Sequence, residues 1–320
     1  PSRCTSLAVA GTHGKPAPWM GDAVLRKFTG LRLLELRGSY LDSGPGPDAL
    51  RSLTALNSLS VSLPTFTLAS LAGLSRLRAL DIDVLSDAEI DDVPFRGLHE
   101  LKDLHIRGAA NLTRIDAAAF RDLVNLEDFS IHGGMDFRNE RARMAYKPAE
   151  RSIGRSGSLK AIPANLFKAC TQLKVLRLVH MGVEELEEDA LQGLGNLEIL
   201  NLELNRLAGL PDGAFRGLTS LESLNLAHND LRMVRKSHTR DLRRLKVLKL
   251  ELNRLTAVDP GFLRTALSLK ELDLTNNRIT ELPAGAFEGV HWLGALQLQF
   301  NDITAIHQDA LKDTAQSMKV

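Results

Sequence analysis

The sequence predicts a curved solenoid of the α/β class, with a parallel sheet on its concave face and turns, loops and short helical segments on its convex face. Leucine recurs in the pattern L-x-x-L-x-L-x-x-N-x-L along most of the 320 residues. The alternation within this pattern suits a short strand with one buried side. Glycine and proline follow each such stretch, where regular strand pairing must stop. One repeat cannot bury its leucines alone, so neighbouring copies must stack.

The repeats are most regular in the carboxyl-terminal half of the chain. Five copies, each 24 residues after the last, begin at Leu197, Leu221, Leu245, Leu269 and Leu293. Six looser copies begin at Leu31, Leu56, Leu77, Leu101, Leu126 and Leu173. We therefore expect a single array over residues 1–320 with about eleven recognisable repeats.

One step breaks the period. Leu126 and Leu173 are 47 residues apart, which is almost two repeats. Because a free insertion need not preserve the phase of the repeat, residues 134–158 are interpreted as mostly one degenerate turn that rejoins the pattern at Leu159. A protruding loop is the alternative.

Composition limits the class of protein. Hydrophobic residues make up 44% and charged residues 25% of the chain, and 40 Lys+Arg against 39 Asp+Glu leave a net charge of +1. These values exclude wholesale disorder and a global attraction to polyanions. No apolar run reaches the roughly 18 residues of a membrane helix, so we expect no direct membrane insertion by this region. The first residues, P-S-R-C, carry neither an initiator Met nor a signal pattern, which favours a processed or excised piece.

Several residues repeat at one register and are interpreted as structural. An Asn after each strand can satisfy backbone groups of the turn, and an outer row of Phe can fill the wedge between repeats. A polar site and a ligand contact are the respective alternatives. The asparagines are Asn205, Asn229, Asn253, Asn277 and Asn301, and the phenylalanines are Phe95, Phe167, Phe215 and Phe287. Cys170 holds a core register and is interpreted as a small buried hydrophobe, with a reactive thiol as the alternative.

The outer half of each repeat carries a second motif, L-P-x-x-A-F-x-x-L, which is present at residues 210–218 and, with Val at its end, at 282–290. With the 24-residue step, it resembles the leucine-rich repeat family, in the typical class found in animal extracellular proteins. Irregular early repeats followed by regular ones resemble part of an arthropod-like Toll-like receptor ectodomain. The resemblance implies a leucine-rich repeat solenoid at the cell surface or secreted. Cysteine-rich caps are absent or truncated, and Cys4 is a candidate for the last cysteine of an amino-terminal cap.

Residues between the strand leucines are not expected to pack in the core. The concave face that they form is therefore the candidate ligand-binding surface. Both signs of charge are mixed there, which suits a protein ligand better than a uniformly charged polymer. The predicted binding residues are Arg177, His180, Asn201, Glu203, Leu204, Asn225, His228, Lys249, Glu251, Leu252, Asp273, Gln297 and Phe300. Three of them, with Val84, are apolar and lie one register beyond the strand, where exposed contact and edge packing are both open.

Three further features have two interpretations each. Protonation of His105, His132, His180 or His228 near pH 6 could alter binding, and ordinary polar contact is the alternative. An acidic stretch over residues 81–92 is interpreted as a solvated face, with a site for calcium or a basic partner as the alternative, although the spacing of a calcium-binding loop is absent. A basic cluster on the convex side is a possible site for an anionic polymer, and a solvated surface is the alternative. The cluster consists of Arg232, Arg235, Lys236, Arg240, Arg243 and Arg244.

The sequence indicates a recognition module and no enzyme, because no catalytic motif is present. No cofactor or metal is expected. Asn111 begins the only N-x-[ST] sequon and is the candidate glycosylation site. The family resemblance implies the ligand-binding ectodomain of a Toll-like innate-immune or developmental receptor, with a protein ligand and possible receptor homodimerisation. The alternative is an extracellular adhesion or matrix leucine-rich repeat protein without signalling.

Overall fold

The computed structural model describes residues 4–10, 21–37, 45–63, 66–83, 87–134 and 157–314. Within these ranges the chain is a solenoid whose successive turns add strands to one 12-stranded parallel sheet. The predicted fold class is therefore confirmed. In chain order the strands are β1 Ser6–Ala10, β2 Leu33–Arg37, β3 Ser58–Ser62, β4 Ala79–Ile82, β5 Glu89–Ile90, β6 Asp103–Ile106, β7 Arg114–Ile115, β8 Asp128–His132, β9 Ala161–Ile162, β10 Val175–Val179, β11 Glu185–Leu186, β12 Ile199–Asn201, β13 Ser223–Asn225, β14 Val247–Lys249, β15 Glu271–Asp273, β16 Glu281–Leu282, β17 Ala295–Gln297 and β18 Ala305–Ile306.

Each of the eleven predicted repeats contributes one strand to the main sheet, and β1 adds a twelfth that the repeat pattern did not predict. The register keeps equivalent residues side by side, so that Leu200 pairs with Leu224 and Leu224 pairs with Leu248. Three short parallel pairs, β5 with β7, β9 with β11 and β16 with β18, form on the outer side of the turns. The helical segments are also short: α1 Asp22–Leu25, α2 Pro47–Arg51, α3 Lys236–Thr239 and a 3-10 turn at Leu68–Leu71.

The core lies between the sheet and the outer turns. Strand leucines such as Leu200, Leu226 and Leu250 are fully buried. The predicted outer row of phenylalanines is also buried and gains Phe120, whose ring centroid lies 5.6 Å from those of Phe95 and Phe167. Tilted ring contacts at this distance stabilise the stack of repeats.

An asparagine ladder ties each turn to the one before it. The Oδ1 atom of Asn253 accepts a hydrogen bond from the backbone N–H of Leu231 at 3.0 Å. Its Nδ2 atom donates to the carbonyl oxygens of Leu226 at 2.9 Å and Leu250 at 3.0 Å. Equivalent bonds form at Asn229, Asn277 and Asn301. The structural interpretation of these asparagines is confirmed.

The 47-residue step does not place an additional strand in the sheet, because β8 pairs directly with β10. The interpretation of residues 134–158 as mostly one degenerate turn and the protruding-loop alternative both stay predictions. Residues 135–156 lie outside the described residues. Both flanks of this stretch bond to the same repeat: Gly133 N–H donates to Val179 at 3.1 Å, and Gly157 N–H donates to His180 at 2.9 Å.

Candidate functional site

The concave face, meaning the solvent-facing side of the 12-stranded sheet, carries the predicted binding residues in one continuous row. The regular strands β12 to β15 each bury their central leucine and leave the residues on either side partly exposed. Neighbouring strands in a sheet lie about 4.8 Å apart, so side chains at one register are close neighbours. The strand register gives the order Arg177, Asn201, Asn225, Lys249, Asp273, Gln297.

A second column follows the carboxyl ends of these strands. Its residues have left-handed backbone angles, with φ between 55° and 61°, although none is glycine. This conformation costs a non-glycine residue about 1–2 kcal/mol. Bonds between repeats compensate for it: the N–H of Leu204 donates to Ala227 at 3.1 Å, and that of Leu252 to Thr275 at 2.9 Å. The column consists of His180, Leu204, His228, Leu252, Asn276 and Phe300.

The apolar members of this left-handed column are accessible. Leu204 and Leu252 are partly exposed, and Phe300, in the last described repeat, is 76% exposed. A depression of about 260 Å³ is lined by Leu252, Phe300 and Arg278, among others. Val84, predicted at the same register, lies outside the described residues. Of the two interpretations, exposed contact fits Phe300 and partial edge packing fits the two leucines.

Charges on the amino-terminal part of the concave face neutralise one another. Arg107 forms ion pairs with Asp81 and with Asp83, the latter at 2.6 Å. Arg177 pairs with Asp128 at 3.1 Å. The first two carboxylates of the acidic stretch are therefore paired within the chain, because an arginine 24 to 26 residues further along meets them in the next repeat.

The carboxyl-terminal part of the concave face differs, because it carries more carboxylates than cations. From β12 to β17, the row carries Glu203, Glu251, Glu271 and Asp273 against one ammonium group, that of Lys249. Among the described residues, no ion pair involves Glu251, Glu271, Asp273 or Lys249. Glu271 was not predicted, although its alternation with Asp273 would have indicated the same face. Glu203 accepts a hydrogen bond from the amide of Asn225 at 3.0 Å.

Glu251 is the most perturbed of these carboxyls. Its Oε2 atom is buried and has no hydrogen-bond partner among the described residues. The pKa of Glu251 is raised to about 7, chiefly by burial. The hydrogen bond from its own backbone N–H and the charge of Lys249 act to lower this pKa, and the charges of Asp273 and Glu203 act to raise it. Ala227, which is fully buried, lies between Glu203 and Glu251 in the row. A carboxyl group on an accessible face therefore titrates near neutral pH.

Two of the candidate switch histidines have lowered pKa values. Burial lowers the pKa of His180, and the charge of Arg206 lowers it further. Burial also lowers the pKa of His228, with Glu203 opposing the shift. The cause of both shifts is that the charged form of a ring is disfavoured away from water. The pH switch stays a prediction.

Comparison with known proteins shows what the regular repeats are similar to. The Leucine rich repeat model matches residues 171–231, 243–303 and 267–316, the part of the chain that carries the regular asparagine ladder. Over these residues, which make up less than half of the chain, the sequence is similar to the leucine-rich repeat family. No match is found among curated proteins.

Solved leucine-rich repeat structures extend the likeness to nearly the whole chain. A TLR13–ssRNA13 complex matches with a TM-score of 0.68 at 19% identity, over 92% of this chain and 40% of that one. The Toll–Spatzle complex of Drosophila matches with a TM-score of 0.64 at 20% identity, over 89% and 38%. The plant peptide hormone receptor RGFR1 with RGF2 gives 0.61 at 20%, over 98% and 50%. The chain thus spans half or less of each of these proteins, and the likeness concerns the fold.

Other candidate sites lie off the concave face. All six residues of the convex basic cluster are exposed. Among the described residues, Arg240 alone of the six has an ion pair, with Asp241 at 3.8 Å. Asn111 is exposed, and the hydroxyl of Thr113 donates to the carbonyl of Ala88 at 2.9 Å.

Neither cysteine stands in a reactive setting. Cys170 is fully buried, and burial raises the pKa of its thiol to about 12, which agrees with its interpretation as a core residue. Cys4 donates from Sγ to the carbonyl of Ser6 at 3.2 Å. Over the described ranges, no three His, Cys, Asp or Glu residues are arranged to hold a metal ion. The same ranges contain no helix with the length and apolarity to cross a bilayer.

Proposed function

We propose that this chain is the ligand-binding part of a Toll-like cell-surface receptor in innate immunity or development, and that its concave face docks a protein ligand. The observation that carries the proposal is the row from Arg177 to Gln297, in which side chains of differing chemistry share one rigid surface. These side chains do not pack in the core, so their variety serves contact with a partner. No catalytic step or cofactor belongs to this proposal.

The solved structures of similar fold support a binding role. Toll is in complex with Spatzle, and RGFR1 with RGF2. The amide and charged groups of the row provide hydrogen bonds and register for a folded partner. Ligand binding would bring two receptor copies together, and this step follows from the Toll-like resemblance alone.

The proposed location is outside the cell, as an ectodomain or a secreted protein. Asn111 is exposed and is the proposed glycan site. Secretion of the chain behind a signal peptide should give one glycoform that enzymatic deglycosylation shifts in mass, and Asn111→Gln should abolish that shift. Secretion without any glycan would remove Asn111 from the proposal.

Face variants test the docking surface. The immobilised chain, the variant Lys249→Ala with Glu251→Ala, and a convex control with Arg243→Ala and Arg244→Ala would each be exposed to extracellular fluid and to cytosol. We expect a protein captured from extracellular fluid by the wild type and by the convex control but lost with the concave variant. Capture from cytosol alone would contradict the location, and equal capture by all three would contradict the docking face.

An adhesion or matrix protein without signalling is the alternative function, and it would use the same face. The complete reading frame separates the two. A membrane helix followed by a signalling domain would support the receptor, and a terminal cap with a lipid-anchor signal would support adhesion.

The convex basic cluster favours a second candidate function, binding of an anionic polymer. Its six exposed cations have a single carboxylate partner among the described residues, so they are available to sulfate or phosphate groups. Heparin affinity should then fall steeply between 50 and 200 mM salt, as about six released counterions predict. Salt-insensitive binding, or binding that survives Arg243→Ala with Arg244→Ala, would remove this function.

A further inference from the structure

We propose that the concave face from β12 to β17 receives a basic segment of the protein ligand, whose Lys or Arg side chains pair with Glu251, Asp273 and their acidic neighbours. The inference rests on the proposed function and assigns the chemistry of the partner. The occupant is a protein segment that combines cationic with apolar side chains.

Charge complementarity carries the first step. Over these strands Glu251, Glu271 and Asp273 share the concave face with one lysine, and no ion pair within the described residues involves any of these three carboxylates. Elsewhere on the same sheet, the acidic residues Asp81, Asp83 and Asp128 are paired with arginines from neighbouring repeats. The chain therefore satisfies one part of its concave face internally and leaves the other part acidic. A cationic partner would find the acidic part without having to break existing ion pairs.

The setting of Glu251 carries the second step. A buried carboxylate oxygen without a donor costs free energy, and a donor from outside the chain would remove that cost. The groups that face Glu251 are Lys249 on its own strand, Asp273 on the next strand, and Glu203 and His228 from the preceding repeats. Of these, Lys249 is the one permanent cation. A guanidinium or ammonium group above this position would meet negative charge from three sides.

The apolar part of the left-handed column carries the third step. Leu204, Leu252 and Phe300 run alongside the acidic row and are accessible. A partner segment that crosses these five strands of the main sheet spans about 19 Å, or about six extended residues. Such a segment can place basic side chains on the row and apolar ones on the column.

Titration of Glu251 makes the binding depend on pH. Its pKa of about 7 means that it is largely neutral at pH 6 and ionised at pH 8. A cation binds the ionised form, so affinity should rise as the pH rises through 7. Burial lowers the pKa of His228 below its ordinary value, which moves the titration of this ring away from that of Glu251.

The test uses a fluorescein-labelled peptide of six Arg-Leu-Gly units, since arginine keeps its charge at every pH used. Anisotropy would be measured at low salt with the whole chain, with Glu251→Gln, Glu271→Gln and Asp273→Asn together, and with a matched convex control, Glu185→Gln, Glu188→Gln and Glu281→Gln. Both variants lose three negative charges. We expect the concave variant to weaken binding about tenfold, as the loss of three exposed ion pairs implies, and the convex control to change it less than about twofold.

Two comparisons add specificity. Binding to the wild type should tighten from pH 6 to pH 8, and Glu251→Gln alone should remove most of that change. A peptide with glycine in place of leucine should bind the wild type more weakly than the leucine peptide does. This glycine peptide should bind the variant with Leu252→Ala and Phe300→Ala as tightly as it binds the wild type.

Equal weakening by the concave and convex variants, or preferential binding of a glutamate-containing peptide to the concave face, would overturn the inference. That result would leave a protein ligand of other chemistry untouched. Failure of the proposed function would give a different result. The wild type and the variant with Lys249→Ala and Glu251→Ala would then capture extracellular partners equally.

Discussion

Arg177 donates from one guanidinium nitrogen to both carboxylate oxygens of Asp128, at 3.1 and 3.3 Å, although the two residues are 49 positions apart. They meet because β8 and β10 are adjacent in the sheet. The same contact neutralises an acidic residue on the concave face. One pair therefore marks both the break in the repeat period and the border of the acidic part of the concave face.

The Arg177–Asp128 pair should contribute little to stability, because both side chains are about one-third exposed. A double-mutant cycle with Arg177→Ala and Asp128→Ala, followed by urea denaturation, should give a coupling energy below about 1 kcal/mol. Each single variant should keep the wild-type circular dichroism. A coupling of several kcal/mol would mean that the pair holds β8 against β10.

Loss of a ladder asparagine should be far more damaging. Asn253→Ala leaves the N–H of Leu231 and the carbonyls of Leu226 and Leu250 without their side-chain partner inside the stack. At about 1–3 kcal/mol for each unsatisfied buried group, we expect a loss of roughly 3 kcal/mol or more. Gln297→Ala, on the open face, is the control and should change stability by less than about 0.5 kcal/mol. Equal effects would contradict the structural role of the ladder.

The flank of the irregular segment depends on Gly182. This residue has φ of +77°, and a Cβ atom placed on it would overlap the carbonyl oxygen of Gly157. Gly217 is a matched control, since its φ is +78° and a Cβ atom there meets nothing within 4 Å. Gly217→Ala should lower the free energy of unfolding by about 1 kcal/mol, because of the backbone angle alone. Gly182→Ala should lower it by clearly more, because the contacts at the strand end must also shift. Similar melting temperatures for the two variants would contradict the close approach.

The stability of the fold should respond to pH through Glu251. Its pKa is raised from 4.5 to about 7 in the folded chain, so folding favours the protonated form. The associated stability is present below pH 4.5 and is lost as pH rises through 7. Glu251→Gln should therefore gain on the wild type by up to about 3 kcal/mol between pH 4 and pH 8, measured by denaturation.

Glu222→Gln is the opposite control for this pH effect. A hydrogen bond from Lys246 lowers the pKa of Glu222, so its contribution is present above the unfolded pKa and is lost in acid. Stability curves for Glu251→Gln and the wild type that stay parallel across this range would show that Glu251 is not perturbed.

The repeat spacing predicted most of the fold, because the same leucine pattern recurs in every regular repeat. Leu200, Leu224 and Leu248 occupy the same register, and the sheet pairs them as expected. Strand β1 was missed because Ser6–Ala10, with the sequence SLAVA, has none of the leucine motif around it. The 47-residue step left two interpretations open, because a length near two periods does not reveal whether the chain keeps the form of a repeat.

The positions of the candidate site could be predicted, and their electrostatics could not. Alternation placed Lys249, Glu251 and Asp273 on one face, because a strand has a period of two. Pairing of Arg107 with Asp83 depends on two repeats being neighbours, and no local pattern expresses it. The depth of His228 and of the Glu251 carboxyl group likewise depends on side chains from adjacent turns, and depth determines their pKa values.

Thiol labelling of strand β14 and the residues just after it tests most directly the claim that each turn buries its leucines and presents the intervening residues. In a Cys4→Ser background, Lys249→Cys, Leu250→Cys and Glu251→Cys would be reacted with a water-soluble maleimide under native conditions. Leu250 is fully buried, and its two neighbours are partly exposed. We predict fast labelling at 249 and 251 and labelling at 250 slower by about 100-fold or more, as local opening of a few kcal/mol requires. Equal rates at all three positions would contradict the account.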